Sequence, residues 1–246
     1  MIDKTVPDAA AAVAGIGDGA TVMIGGFGRA GQPVELIDAL IAHGATDLVI
    51  VNNNAGNGDT GLAALLAARR VRKIICSFPR QSDSWVFDGL YRAGEIELEL
   101  VPQGNLAERI RAAGAGIGGF YSPTGVGTQL AEGKEHREID GRQYVLEYPI
   151  RADFALISAR KADRWGNLVY RETARNFGPI MASAADTTIA QVDELVPLGD
   201  LDPETVVTPG IFVNRVVAVG ERRWLDAGAF VGGVDLEGNT LEEVPA

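Results

Sequence analysis

The sequence predicts an α/β protein: a mostly parallel sheet flanked by helices, with a later mixed or antiparallel strand section. Three observations carry this. Four strand runs in the first half each lead into a helix pattern, which is how a parallel sheet with helical crossovers is written. The first run, Ala20 to Ile24, is apolar but for Thr21, as burial on both faces demands. After Gly114 the texture changes to glycine-rich sequence and then to a hairpin signal.

Taken in order, Ala20 to Ile24 is the first strand, interrupted only by Thr21. Pro33 to His43 places Val34, Ile37 and Ile41 on one helical stripe, widened by Leu36 and Leu40. Pro33 suits the first helical position, where its missing N–H costs nothing, and Gly44 suits the position just past the helix end. Asp47 to Asn53 is the second strand and Leu62 to Arg70 the second helix. The pattern repeats with a strand over Val71 to Phe78, a helix over Asp83 to Ala93, a strand over Glu95 to Pro102 and a helix from Asn105 to Ala113.

The stretch from Gly114 to Gln129 reads as a long loop. Arg137 to Tyr148 reads as a hairpin around Asp140-Gly141. Asp153 to Arg160 and Asn167 to Tyr170 are two more strands turning at 163–166, followed by a helix near Ala174 to Ala185. Apolar runs at Thr187 to Val192 and Ile211 to Val219 complete the pattern. Residues 1–219 thus form a single expected domain. Residues 220–246 lose the pattern and are left as an unassigned C-terminal extension, either a mobile tail or a partner-binding segment.

Composition narrows the function. The 246 residues are 46% hydrophobic and 22% charged, with a net charge of -11. That charge argues against non-specific nucleic-acid binding, which needs clustered Lys and Arg. A single cysteine, Cys76, allows no internal disulfide, and His43 and His136 are too far apart in sequence for a local metal motif. No metal site is expected. His43 and His136 read as structural or surface residues, and Cys76 as a buried apolar filler with no histidine placed to activate it. No apolar run approaches the ~18 residues of a membrane span, and no signal segment opens the chain. The expectation is a soluble cytoplasmic protein.

Ligands of parallel sheets gather at the C-terminal strand ends. Those ends carry Gly25-Gly26-Phe27, Asn52-Asn53-Asn54, Ser77-Phe78-Pro79-Arg80 and Pro102-Gln103-Gly104. Gly26 to Gly31 formally matches a dinucleotide-binding fingerprint. That fingerprint requires the helix to start inside it, with an acidic residue ~20 positions on. Here the helix starts after Gln32, and the second strand ends in asparagines, so both requirements fail. Two readings of the glycines remain: a tight turn without a ligand, or backbone that approaches an anion or oxyanion closely. The neighbouring amides Asn52, Asn53, Asn54 and Gln103 are neutral donors suited to a tetrahedral oxyanion, although asparagine also simply forms turns.

Several blocks together resemble the alpha-subunit signature of the family I coenzyme A transferases. They are Asp18 to Gly28 continuing to Gly31-Gln32-Pro33, Asn53-Asn54-Ala55-Gly56, Pro102 to Arg111, Phe120 to Thr128 and Ala174-Arg175-Asn176-Phe177. The resemblance covers about residues 1 to 219. Ile75 to Ser84 and Asp163 to Tyr170 are similar to a subgroup that uses 3-oxoadipate rather than acetoacetate.

The resemblance implies transfer of CoA from succinyl-CoA to a 3-oxo acid, with 3-oxoadipate the expected acceptor and a glutamyl-CoA thioester as intermediate. The CoA thioester is then a substrate, and no cofactor is expected. The family's nucleophilic glutamate lies in the beta half, in a Glu-Asn-Gly motif that this sequence lacks; Glu132-Gly133 and Glu237-Gly238 are only echoes. No catalytic nucleophile is therefore expected in this chain, which should need a separate beta subunit in an α2β2 assembly.

Gln103 resembles the family glutamine that contacts the oxo acid, and Asn53 the polar residue beside the acyl group. Gly25, Gly26, Phe27 and Gly28 would shape the wall by close backbone approach. Arg80 either pairs with the distal carboxylate of a dicarboxylic acceptor or is a solvated surface arginine. Alternatives are a subunit for acetoacetate or another 3-oxo acid, a self-sufficient acyl-CoA hydrolase or sugar-phosphate isomerase on the same scaffold, and a non-catalytic ligand-binding domain.

Overall fold

Successive residues of a strand face opposite sides of a sheet, so a run that is apolar at every position must be covered twice. The computed structural model, which describes residues 2–81 and 83–220, bears this out. In β1 (Thr21–Ile24), Val22 and Ile24 join one core cluster and Met23 the other. In β2 (Leu48–Val51), Leu48 and Ile50 go one way and Val49 and Val51 the other.

The first cluster is closed by four helices, α1 (Ala9–Val13), α2 (Val34–His43), α3 (Leu62–Ala67) and α4 (Trp85–Arg92). They contribute Val13, Leu36, Leu40, Leu65 and Phe87 among others. The second is closed by α5 (Gln103–Gly114) and α6 (Gly178–Ala184), through Leu106, Ile110 and Met181. Truncating a fully buried residue such as Ile50 to alanine costs about 2–5 kcal/mol at sites of this kind.

The remaining strands are β3 (Val71–Cys76), β4 (Glu97–Leu100), β5 (Phe120–Ser122), β6 (His136–Ile139), β7 (Arg142–Glu147), β8 (Ala152–Ala162), β9 (Leu168–Val169), β10 (Ala185–Leu195) and β11 (Arg215–Ala218). The main sheet has the order β11-β10-β8-β1-β2-β3-β4, parallel throughout, with β9 added antiparallel to β8. Ile24, the last residue of β1, pairs with Leu156, and β8 continues on to Ala162. The long strands β8 and β10 therefore run past the C-terminal edge of β1 and wall one side of it.

β5, β7 and β6 form a separate antiparallel sheet. Its hairpin turns at Asp140 and Gly141, both with positive φ, as an Asp-Gly hairpin turn requires. A polar knot ties this sheet to α5. Asn105 donates from Nδ2 to Glu147 Oε1 at 3.0 Å and accepts from Ser122 Oγ at 2.8 Å. Lys134 pairs with the buried Glu147 at 2.7 Å. Arg109 donates to the Tyr148 carbonyl at 2.7 Å and pairs with Glu99 at 3.1 Å. Burial alone would raise the Glu99 carboxyl, but Lys73 and Arg109 outweigh it and hold it below its ordinary value. Together these groups fix the first two turns of α5.

The expected α/β class and the strand–helix alternation stand. Four local expectations are corrected. The stretch from Gly114 is not a plain loop: it contains β5 and a 3-10 turn at Gln129–Ala131, because Tyr121 and its neighbours pair with β7. Pro33 is the N-cap residue rather than the first helical one. The helix after β4 begins at Gln103, not Asn105. The expected helix over Ala174 to Ala185 is broken into a 3-10 turn at Glu172–Arg175 and α6, with Asn176 and Phe177 between. α1 has no counterpart in the expectation; Asp8 caps it by accepting from the Ala11 N–H at 2.7 Å. The expected C-terminal extension, 220–246, lies outside the described residues apart from Gly220.

Candidate active site

Four strand ends and one helix start converge at the C-terminal edge of the sheet. β1 delivers Gly25 to Gly28, β2 delivers Asn52 to Asn54, β3 delivers Ser77 to Arg80, and β4 leads into α5, which opens with Gln103.

The three asparagines divide sharply. Asn52 is fully buried; its Nδ2 donates to the Ile24 carbonyl at 2.6 Å and its Oδ1 accepts from the Asn54 N–H at 2.8 Å. It ties the end of β2 to the end of β1. Asn54 is also buried, and its Oδ1 accepts from the Gly56 N–H at 2.8 Å. Both serve the turn. Asn53 differs: its Oδ1 accepts from Gln103 Nε2 at 2.9 Å and from Ser77 Oγ at 2.9 Å. Asn53 is 2% exposed, whereas Gln103 is exposed. The two expected site amides are thus brought together across 50 residues of sequence.

The glycine loop is held from below. The N–H groups of Gly25, Gly26 and Phe27 go to the Leu156 carbonyl (2.9 Å), Asn176 Oδ1 (3.2 Å) and the Ala30 carbonyl (3.0 Å). Asn176 Nδ2 returns to the Ala30 carbonyl at 2.9 Å. A Cβ on Gly31 would lie 2.2 Å from the Ala174 carbonyl oxygen, so the loop presses directly on the 174–176 segment. These three amides are spent inside the protein. The loop shapes the wall, and its contribution from Gly25 to Phe27 is surface rather than an amide nest. The N-terminus of α2 is likewise occupied: Leu36 N–H donates to Gln191 Oε1 at 3.0 Å. That is a further reason why the glycine fingerprint does not hold a pyrophosphate.

Arg80 lies on the β3–α4 connection, its side chain 54% exposed, with Nε donating to Asp88 Oδ1 at 2.6 Å. Phe27, Phe78 and Trp85 stand at the ends of β1 and β3 and the start of α4, 50%, 56% and 58% exposed, so the edge carries an apolar rim. Glu132 is exposed beside the 3-10 turn at Gln129–Ala131, where Leu130 and Lys134 share a cleft with Leu100 to Pro102 at the end of β4; Glu237 falls outside the described residues. Cys76 is buried at the end of β3, and burial pushes its thiol up to about 12. His43 contacts the Ile16 carbonyl at 3.0 Å, and His136 the Ala131 carbonyl at 3.3 Å. Among the described residues no group of three metal-ligating side chains occurs, and no helix is long and apolar enough to cross a membrane.

Ser77, behind Asn53, and Asn176, beneath the glycine loop, are not among the expected site residues. Ser77 is signalled only as a hydroxyl at a strand end, and Asn176 only as a member of the block Ala174-Arg175-Asn176-Phe177.

The fold is that of acyl-CoA transferases. An acyl-CoA transferase from Escherichia coli O157:H7, solved as a thioester complex with CoA, superposes with a TM-score of 0.82 at 25% identity, over 92% of this chain and 52% of that one. The chain therefore spans about half the length of that structure. It matches the Coenzyme A transferase family pattern over residues 6–219, and it belongs to that family. It is 73% identical over 219 residues to a 3-oxoadipate CoA-transferase subunit of Pseudomonas putida, covering 89% of this chain and 95% of the relative. It is 68% identical over 219 residues to the protein of the same name from Acinetobacter baylyi, covering 89% and 96%.

Proposed function

We propose that this chain is the alpha subunit of a CoA-transferase that moves CoA from succinyl-CoA to 3-oxoadipate in the cytoplasm. It would act with a separate beta subunit in an α2β2 assembly. The observation that carries the reading is the Asn53–Gln103 pair at the strand ends, a wall of neutral amides in a chain without the Glu-Asn-Gly motif of the family nucleophile.

In the proposed reaction the partner's glutamate attacks the thioester carbonyl of succinyl-CoA, and CoA thiolate leaves. The thiolate then attacks the glutamyl carbonyl of the resulting anhydride, giving succinate and a glutamyl-CoA thioester. The same two steps in reverse order transfer CoA to the 3-oxo acid. Each tetrahedral oxyanion needs donors already in place, and neutral amides supply them without trapping a charged acid. The CoA thioester enters as substrate, and the reaction needs no resident cofactor or metal.

The apolar rim of Phe27, Phe78 and Trp85 supports docking of the partner over this edge, which would exclude water from the anhydride. Arg80, held by Asp88 beside the same edge, is proposed to read the distal carboxylate of the acceptor. High identity to two subunits named for 3-oxoadipate favours that acceptor over acetoacetate. The test is to follow succinyl-CoA consumption with 3-oxoadipate, using the chain alone and with its beta subunit. Turnover only with both supports the reading. Full turnover by the chain alone refutes it in favour of a self-sufficient enzyme.

A further inference from the structure

We infer that Ser77 is a positioning residue whose hydroxyl locks the Asn53 carboxamide with its oxygen inward and its NH2 group toward the substrate; this rests on the proposed function for the identity of the substrate.

A carboxamide can be turned either way in its socket, and the two ends are opposite in hydrogen-bond character. What decides is the surrounding set of donors and acceptors. Asn53 Oδ1 receives Gln103 Nε2 and Ser77 Oγ, both at 2.9 Å, which fills its two lone pairs. With Gln103 presenting its own NH2 as it does here, the reverse orientation would set the Asn53 NH2 against it. Asn53 Nδ2 has no hydrogen-bond partner among the described residues. It is also not one of the two buried orphan atoms found there, Asn57 Oδ1 and Arg70 Nε. In the inferred arrangement this leaves the NH2 end of Asn53 as the donor available to the substrate.

Ser77 is better placed than Gln103 to hold this arrangement. Gln103 is exposed at the start of α5 and is itself a substrate contact in the proposed reaction, so its amide is drawn on during turnover. Ser77 is half-buried, and its backbone fastens it to the same residue. Ser77 N–H and Phe78 N–H both donate to the Asn53 carbonyl, at 3.1 and 3.0 Å, and Ser77 Oγ lies 3.1 Å from that carbonyl as well. The hydroxyl thus stays beside Asn53 while Gln103 rearranges. Losing it leaves Asn53 free to turn its acceptor end toward the developing oxyanion, where like partial charges oppose each other.

The experiment uses the complex with the beta subunit, in which only this chain carries 15N, and compares wild type, Ser77→Ala and Ser77→Thr. The Asn53 side-chain amide signals are assigned by their loss in Asn53→Ala. The expected result is a roughly 10-fold fall in kcat for Ser77→Ala with little change in KM. The Asn53 amide signals should shift or broaden, and Ser77→Thr should restore both. In an Asn53→Ala background, Ser77→Ala should cost nothing further. Unmoved Asn53 signals with unchanged kcat overturn the inference, as does a Ser77→Ala loss carried in full onto Asn53→Ala. A wild-type complex that fails to turn over 3-oxoadipate sinks the proposed function instead, and the amide signals still decide the role of Ser77.

Discussion

Gln103 Nε2 donates to Asn53 Oδ1 at 2.9 Å, joining the first residue of α5 to the end of β2. In the proposed reaction this pair would face the charge that develops in acyl transfer. Replacing either residue by alanine should lower kcat by roughly 100-fold or more, the usual cost of one lost oxyanion donor. Thermal stability should change little for Gln103→Ala, because its side chain is exposed. Steady-state kinetics of the two variants check this, and unchanged kcat in both would remove the pair from the reaction.

Arg80 tests acceptor choice. Arg80→Ala and Arg80→Lys should depress kcat/KM for 3-oxoadipate more than for acetoacetate, since a guanidinium fork binds a carboxylate through two parallel hydrogen bonds and an ammonium does not. Side-by-side kinetics with the two acceptors give the answer. Equal losses for both substrates would return Arg80 to a surface ion pair with Asp88.

The glycine loop makes a graded prediction. Gly28 has a φ of +60° with nothing within 4 Å of an added Cβ, so Gly28→Ala should cost only the left-handed backbone penalty of about 1–2 kcal/mol. At Gly31 the φ is +75° and the added Cβ would lie 2.2 Å from the Ala174 backbone oxygen. Gly31→Ala should therefore cost distinctly more, about 3 kcal/mol or above. Urea unfolding of the two variants orders them, and equal midpoints would contradict the close packing on the 174–176 segment.

Cys76 makes a prediction about pH. Its thiol has an ordinary value of 9.0 and is pushed up to about 12 in the fold by burial. Above pH 9 the unfolded chain loses the proton while the folded chain keeps it, so the unfolded state is favoured progressively between pH 9 and about 12. Cys76→Ala should flatten that part of the alkaline stability curve. The native thiol should also resist alkylation at pH 8 and react once the chain is unfolded; fast native labelling would mean that Cys76 is not buried.

The strand–helix alternation was legible because double burial leaves continuous apolar runs in β1 and β2, and because Pro33 and Gly44 bracket one helix. β5 was not legible: Phe120 to Ser122 is three residues long in a glycine-rich setting, and its pairing with β7 is a tertiary fact. The break at Asn176 was hidden for a similar reason, since its side chain is committed to the distant Gly26 N–H and Ala30 carbonyl. At the site, Asn53 and Gln103 came from strand-end position and family resemblance together. Position alone did not separate Asn53 from Asn52 and Asn54, because only the fold shows which carboxamide meets Gln103 and which two are committed to the turn.

In the proposed enzyme this chain supplies the donor wall and another chain supplies the nucleophile. Intact-mass spectrometry of the complex, incubated with succinyl-CoA and no acceptor, tests that division most directly. A covalent CoA adduct on the beta subunit, with this chain unmodified, is the predicted result. An adduct on this chain would contradict it.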